Sequence, residues 1–523
     1  MRRLTLGSRA SAYVWTSILL TAIVLLLLAW AKSYPLHQES TNLPFLSSVY
    51  WTYWVSYLIF VISFWRIATT SHSVPVKWGA GVGFFMLINS LSYFYYYVPG
   101  SDTFFLNLAP AYLSGGFTNP QALGVYPWPG FFLLIRMLSE ITTLPLNITV
   151  SVFYLGTGLV MVSMVFFIAT RHGLDGFWSV VAFSIIGFFF VNYQFAPQTL
   201  AWVFVMMLLY VDYSCGKSLA GTVAVLTLVV ATAISHPFML AYYAVYLFAR
   251  AFQNRRYLII GIFAMTLGLV GSMLVTFSAL FGLILGTIYS IQLMLGFSQY
   301  GIRITGYGTS PYLTFARLSV LSVTALSGFG LAHLIGKRRA LPQDVALISA
   351  STLAFGVGAA VSLLGTRALQ LAAVVAAIGS GHFPELLHTR KLRGGLLLFL
   401  SISSIFCVMH MNYYSSLYQP QEDAQAATFL STNIELEAGA RNPLRIFTPF
   451  IVRGFFGLSD NGNASMRVFF TFDEIDPSSM DYVLAPTATP AFAGSTYLAA
   501  KTKLTSRYNI IFNYGDGVIY AAI

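Results

Sequence analysis

The sequence predicts an all-α polytopic membrane domain of about thirteen transmembrane helices, followed by a small extracytoplasmic α/β domain. Three observations predict it. Of 523 residues, 57% are hydrophobic and only 9% are charged, against about 25% charged in soluble domains. Mean hydropathy is +0.73. Apolar runs of about 18 residues or more recur as far as residue 411; they are long enough to cross a bilayer as helices and too long for barrel strands.

The predicted spans are 12–31, 45–65, 78–97, 148–169, 177–192, 198–213, 219–235, 238–252, 257–279, 312–335, 344–364, 368–387 and 394–411. The first resembles a signal peptide, but its apolar run is long and no small-residue cleavage site follows, so it reads as a retained helix. Basic residues then orient the set. Arg2, Arg3, Arg66, Lys77, Arg171, Lys217, Arg250, Arg255, Arg256, Lys337 and Lys391 fall at alternate span ends on one side. The positive-inside rule places that side, and the N-terminus, in the cytoplasm. The net charge of +11 is thus a record of topology and does not imply a nucleic-acid partner. Cys215 and Cys407 lie in or beside different apolar runs and form neither a metal motif nor a disulfide framework.

The opposite face is predicted to be external. It receives two long segments, 98–147 and 280–311, and the tail from 412 to 523. The sequons at Asn147 and Asn463 land there too. Within the first segment, "TFFLNLAPAYLSGGF" is amphipathic and "YPWPGFFLLIRMLSEITTLPL" is interrupted by Pro127, Pro129 and Arg136. Both read as interfacial or re-entrant helices, since a full crossing would swap the sides of every later basic loop. In the tail, "QEDAQAATFLSTN" reads as an amphipathic helix. "LRIFTPF", "DYVLAP" and "YNIIFNYGDGVIYAAI" read as strands, the last a hairpin around Gly515-Asp516-Gly517. The domain boundary therefore falls at 411/412.

Asp102, in "YYYVPGSDTFFLNLAP", is a lone carboxylate in a chain with few charges. It suits a general base or a metal ligand at the outer interface. It equally suits a turn residue capping a helix that starts at Thr103. Arg367, between two spans, can fork onto a phosphate or snorkel to the interface. His236 in "SHPFML" can hydrogen-bond a substrate or end a helix before Pro237. Gln198 in "APQTLAW" can touch a polar ligand or occupy a first helical turn. Arg303 and Tyr307 suit a mobile lid or an ordinary loop. Arg136 and Glu140, four apart, are expected to pair. Asp175 and Asp212 read as topological residues at cytoplasmic boundaries, a side where no pocket signature is seen. There is no Walker A motif, no dinucleotide fingerprint, no zinc spacing, no nucleophile elbow and no run of intramembrane acids.

An aspartate in an early external loop ("PGSDTFF"), then "YPWPGFFLL", "APQTLAW", "SHPFML" and a tail ending "YNIIFNYGDGVIY" together resemble the polytopic, lipid-phosphate-sugar-dependent glycosyltransferases of the GT-C fold, especially archaeal and bacterial members. The resemblance spans most of the chain and is diffuse. It implies a GT-C-like membrane domain over 1–411 and inverting transfer of a sugar from a polyprenyl- or dolichyl-phosphate donor to a glycan, lipid or protein acceptor on the external face. By that resemblance Asp102 is the catalytic base and Arg367 the phosphate-binding residue. His236, Gln198, Tyr126, Arg303 and Tyr307 complete the substrate-binding set. Many members carry two acids in the early loop; here Asp102 stands alone, which favours metal-free chemistry and leaves a divalent ion (Mg or Mn) at Asp102 as the one open cofactor. The loop follows the third predicted span rather than the first, so an extra N-terminal hairpin is implied. The Trp-Trp-Asp signature of oligosaccharyltransferases is absent, which argues against en bloc transfer to asparagine. The rival readings are a lipid-linked glycan flippase without transferase activity and a structural or sensory membrane protein.

Overall fold

A computed structural model describes residues 6–33, 49–70, 73–94, 130–190, 197–214, 219–236, 238–268, 313–337, 341–360, 373–386 and 389–413, together with strands between 444 and 522. The described helices are α1 (Leu6–Ser33), α2 (Thr52–Thr70) and α3 (Val74–Asn89), the last running into a 3-10 turn at Ser90–Phe94. There follow α4 (Gly130–Thr142), α5 (Leu146–Arg171), α6 (Gly176–Phe190), α7 (Pro197–Ser214), α8 (Leu219–Ser235), α9 (Phe238–Ala251) and α10 (Arg256–Gly268). The membrane region closes with α11 (Leu313–Gly336), α12 (Pro342–Ala360), α13 (373–380), the single turn α14 (Phe383–Leu386) and α15 (Arg390–Tyr413).

Local chemistry sets these boundaries. Pro75, Pro197 and Pro342 sit in first turns, where a missing N–H costs nothing. Helix α5 stops in a Schellman motif: Gly173 takes φ +71°, its N–H donates to the Thr170 carbonyl at 3.0 Å, and the Leu174 N–H donates to the Ala169 carbonyl at 3.1 Å. Asp175 then accepts the Phe177 N–H at 3.1 Å and caps α6.

The helices bury a continuous core in which α3 packs on α2, α5 and α6, α7 on α5 and α8, α9 on α12, and α11 on α6 and α15. Several hydroxyls and amides inside it bond across helices, the polar contact by which lipid-embedded helices associate. Ser56 donates to the Ala22 carbonyl at 2.7 Å, Tyr57 to Ser404 Oγ at 2.7 Å, and Tyr154 to Asn89 Oδ1 at 3.1 Å.

The expectation of about thirteen spans is corrected. Among the described residues, three helices are long and apolar enough to cross a membrane: Ile148–Arg171, Leu318–Gly336 and Lys391–Val408. These segments make the chain a membrane protein. Gln198–Ser214 and Ala220–Ser235 are among the shorter apolar helices. Apolar composition reports burial or lipid contact alike, so a run's length overstates its helix wherever a breaker interrupts it. The predicted 368–387 span illustrates this. It is described as 373–380, a turn at Gly381-His382 and the four residues of α14.

Of the expected α/β tail, the described residues show the sheet, with strands at all three predicted runs; the helix expected at "QEDAQAATFLSTN" lies outside the described residues. The strands are β1 (Leu444–Pro449), β2 (Ala464–Phe469), β3 (Tyr482–Ala485), β4 (Tyr508–Tyr514) and β5 (Gly517–Ala522). Their order is β2-β1-β3-β5-β4. Strand β1 runs parallel to β2 and β3, while β5 is antiparallel to β3 and β4. The β4–β5 hairpin pairs Tyr514 with Gly517, with a register shift between Ile510 and Phe512.

Candidate functional site

Asp102, Arg367, Tyr126, Arg303 and Tyr307 lie outside the described residues. Gln198 and His236 lie within them. Gln198 is the second residue of α7 and is 8% exposed, and His236 follows the last residue of α8 and is 2% exposed. Helices α7 and α8 pack together across a four-residue connection, 215–218, so both polar side chains are buried at one end of that pair. Helix α4 covers the same region, packing on α5, α7 and α8. Its buried stripe is Phe131 and Ile135, one turn apart, with Phe131 edge-on to Phe153 at 5.7 Å. On its exposed side Arg136 Nε donates to Glu140 Oε1 at 2.8 Å.

A cleft of about 480 Å³ opens between α1, α2 and α3. Leu27, Trp30, Phe64, Met86, Ser90 and Phe94 are among its lining residues. Ser90 and Phe94 belong to the 3-10 turn, so the cleft reaches the end of α3 from which the chain leads to the segment holding Asp102.

The opposite end of the bundle holds a dense polar network. Asp212 accepts hydrogen bonds from Tyr246 (2.5 Å), Tyr257 (2.6 Å) and Arg250 Nε (3.0 Å). Arg250 also donates to Gln253 and to the Tyr257 hydroxyl, and both Arg250 and Arg256 lie over the Tyr257 ring, at 4.6 and 4.8 Å. One step along, Asp344 accepts the Tyr213 hydroxyl at 2.8 Å and the Leu341 N–H at 2.7 Å, and His172 Nε2 lies 3.2 Å from its Oδ1. Burial holds the His172 imidazole below its usual pKa, with Asp344 opposing part of that effect. Lys77 pairs with Asp175 at 2.5 Å. These contacts tie the ends of α5, α7 and α9 to the starts of α3, α6, α10 and α12. Asp175 and Asp212, which the sequence suggests are merely topological, are the centres of this end.

The same end carries a cluster that the sequence does not announce. Helix α11 and the 373–380 helix cross where both are glycine: a Cβ placed on Gly330 would lie 2.0 Å from the Gly379 carbonyl oxygen, and one on Gly379 would lie 2.2 Å from the Ser327 carbonyl oxygen. Ser327 and Ser380 face each other at 2.5 Å between hydroxyls. Three residues beyond each glycine stands a histidine. The rings of His333 and His382 meet edge to face at 5.5 Å. Glu385, on α14, brings Oε2 to 3.8 Å from His333 Nε2 and 3.5 Å from His382 Nδ1, with Lys337 Nζ at 3.9 Å. One ligand atom from each of His333, His382 and Glu385 falls within 4.8 Å of the others. The sequence reading, which sees no pocket signature on this side, singles out none of these three residues. The available signal was the pair of Gly-x-x-His spacings, "GLAH" and "GSGH", and the His-x-x-Glu that follows the second.

No protein-family model matches the chain, and no curated protein matches it. Among solved structures, the oligosaccharyltransferase of Archaeoglobus fulgidus, determined with Zn and sulfate, is similar at a TM-score of 0.45 and 11% identity, over 85% of this chain and 73% of that one.

Proposed function

We propose that this membrane protein is a glycosyltransferase that takes a sugar from a polyprenyl-phosphate donor and passes it to an acceptor hydroxyl on the external side of the membrane. Asp102 removes the acceptor's proton, the acceptor oxygen bonds to the anomeric carbon, and the bond from that carbon to the lipid phosphate breaks with inversion. A positioned carboxylate contributes about 10²–10⁴-fold to such a step. Arg367 meets the phosphate that leaves, and Gln198 and His236 line the site. The basic end, with Lys77, Arg250 and Lys337, is the cytoplasmic one.

The observation that supports this reading best is the apolar cleft between α1, α2 and α3. It is a hydrocarbon-lined space of about 480 Å³, and its lining includes Ser90 and Phe94 of the 3-10 turn that follows α3. A site fed by a lipid phosphate needs such a place for the apolar tail beside the reacting headgroup. The test is transfer from a radiolabelled polyprenyl-phosphate sugar by the purified full chain in liposomes. Product forms with the native chain and falls by 10²-fold or more, about the general-base contribution, in Asp102→Asn at unchanged expression. Donor crossing the liposome membrane without product would establish the flippase instead.

A further inference from the structure

We propose that His333, His382 and Glu385 form a divalent transition-metal site at the basic end of the bundle, suited to zinc, that pins the last turn of α11 to the turn before α14. The proposal is independent of the glycosyltransferase reading, to whose site none of these three residues is assigned.

The donor set is the first argument. Two imidazoles and one carboxylate are a recurrent zinc ligand set, with a fourth position left for water or another ligand. The distances are the second. Ligands at about 2.0–2.2 Å from a tetrahedral ion are separated by about 3.3–3.5 Å. His382 Nδ1 and Glu385 Oε2 are already 3.5 Å apart, His333 Nε2 and Glu385 Oε2 are 3.8 Å apart, and one ligand atom from each of the three lies within 4.8 Å of the others, so side-chain adjustments of about an ångström close the site. The third argument is preorganisation. His382 is fully buried, with its ring orientation set by the packed turn; its carbonyl accepts the Glu385 and Leu386 N–H groups at 2.9 and 3.0 Å. His333 is carried on a helix whose approach is fixed by the Gly330–Gly379 crossing. Glu385 is 40% exposed, which gives an ion a route from solvent. Lys337, 3.9 Å from the same carboxylate oxygen, is a competing cation for Glu385, so binding an ion displaces its ammonium from that oxygen.

The full chain, purified in detergent and stripped with a chelator, is titrated with Co²⁺ and followed by visible absorption, then with Zn²⁺ in competition. One Co²⁺ per chain with tetrahedral-type bands, displaced by Zn²⁺, is expected. Glu385→Gln and His333→Gln change partly exposed ligands and are expected to fold; each weakens binding by about 100-fold or more, at or beyond the upper range seen for supporting residues. Lys337→Gln tightens binding several-fold. Absence of bands in the native chain overturns the proposal, as does binding that both ligand variants leave unchanged. His382→Ala serves as the third variant; should it fail to fold, Glu385→Gln decides the outcome.

Discussion

Gly330 and Gly379 meet backbone against backbone: a methyl group on the first would sit 2.0 Å from the carbonyl oxygen of the second. Two helices approach this closely only where neither carries a side chain, the small-residue contact by which apolar helices associate when lipid is as apolar as they are. Gly330→Ala must therefore move a backbone, not a flexible side chain. Overpacking of this kind costs about 1–3 kcal/mol. Gly328, on the same helix, has open space where a methyl group would go, with nothing within 4 Å, so Gly328→Ala is the matched control. Melting in detergent should fall for the first and hold or rise for the second, since alanine favours the helix over glycine; equal losses would show that the crossing is not the cause.

Asp212 is the anion that neutralises Arg250, and both are nearly inaccessible, at 9% and 8% of side-chain surface. Removing one member of a buried pair leaves the other charge uncompensated, at a cost of about 3–5 kcal/mol. Asp212→Ala should lower stability by that order. Glu140→Ala, which breaks the exposed Arg136–Glu140 pair, should cost no more than about 1 kcal/mol. Chemical denaturation of the two variants side by side would expose any failure of the contrast.

His172 supplies a pH dependence. Its folded pKa lies below the unfolded value because burial penalises the imidazolium. The unfolded chain thus binds the proton more readily, and stability must rise with pH across this window. The contribution is complete above the ordinary histidine pKa and is lost as pH falls toward the depressed folded value. Melting temperatures between pH 7.5 and 5 should decline, and His172→Gln should flatten the part of the slope that belongs to this group. A variant slope as steep as the native one would assign the effect elsewhere.

The cleft between α1, α2 and α3 can be filled from within. Met86→Trp places a larger ring among Leu27, Trp30 and Phe64. If the cleft holds the donor's tail, KM for a long-chain polyprenyl-phosphate sugar should rise about tenfold, a binding loss of about 1.4 kcal/mol, while kcat and the KM for a truncated donor hold. A uniform change for both donors would show that the cleft does not receive the tail.

What could be read from the sequence follows from which signals are local. Hydropathy and charge marked a helical membrane chain, and the Arg136–Glu140 pairing needed only an i,i+4 spacing. The Gly515-Asp516-Gly517 turn pointed to the β4–β5 hairpin. Strand β2, "ASMRVF", has no alternation strong enough to announce it and pairs with β1 only in space. The predicted 368–387 span runs through the turn at Gly381-His382 because hydropathy does not mark that break. The polar end was hidden for another reason. Asp212 gathers Tyr246, Arg250 and Tyr257, 34 to 45 residues away, and Asp344 binds Tyr213 across 131 residues. His333 and His382 become neighbours only because two glycines let their helices touch.

That span has a consequence for how the chain is made. During synthesis Tyr213 leaves the ribosome long before the acid it binds, since Asp344 follows by 131 residues. Asp212 meets Arg250 after 38. The inner knot around Asp212 can thus tie while the chain is still growing, and the outer loop through His172 and Asp344 waits until α12 has been translated. A product truncated ahead of Asp344 would leave the Tyr213 hydroxyl and the His172 ring at a helix margin without that carboxylate, a natural target for membrane quality-control proteases.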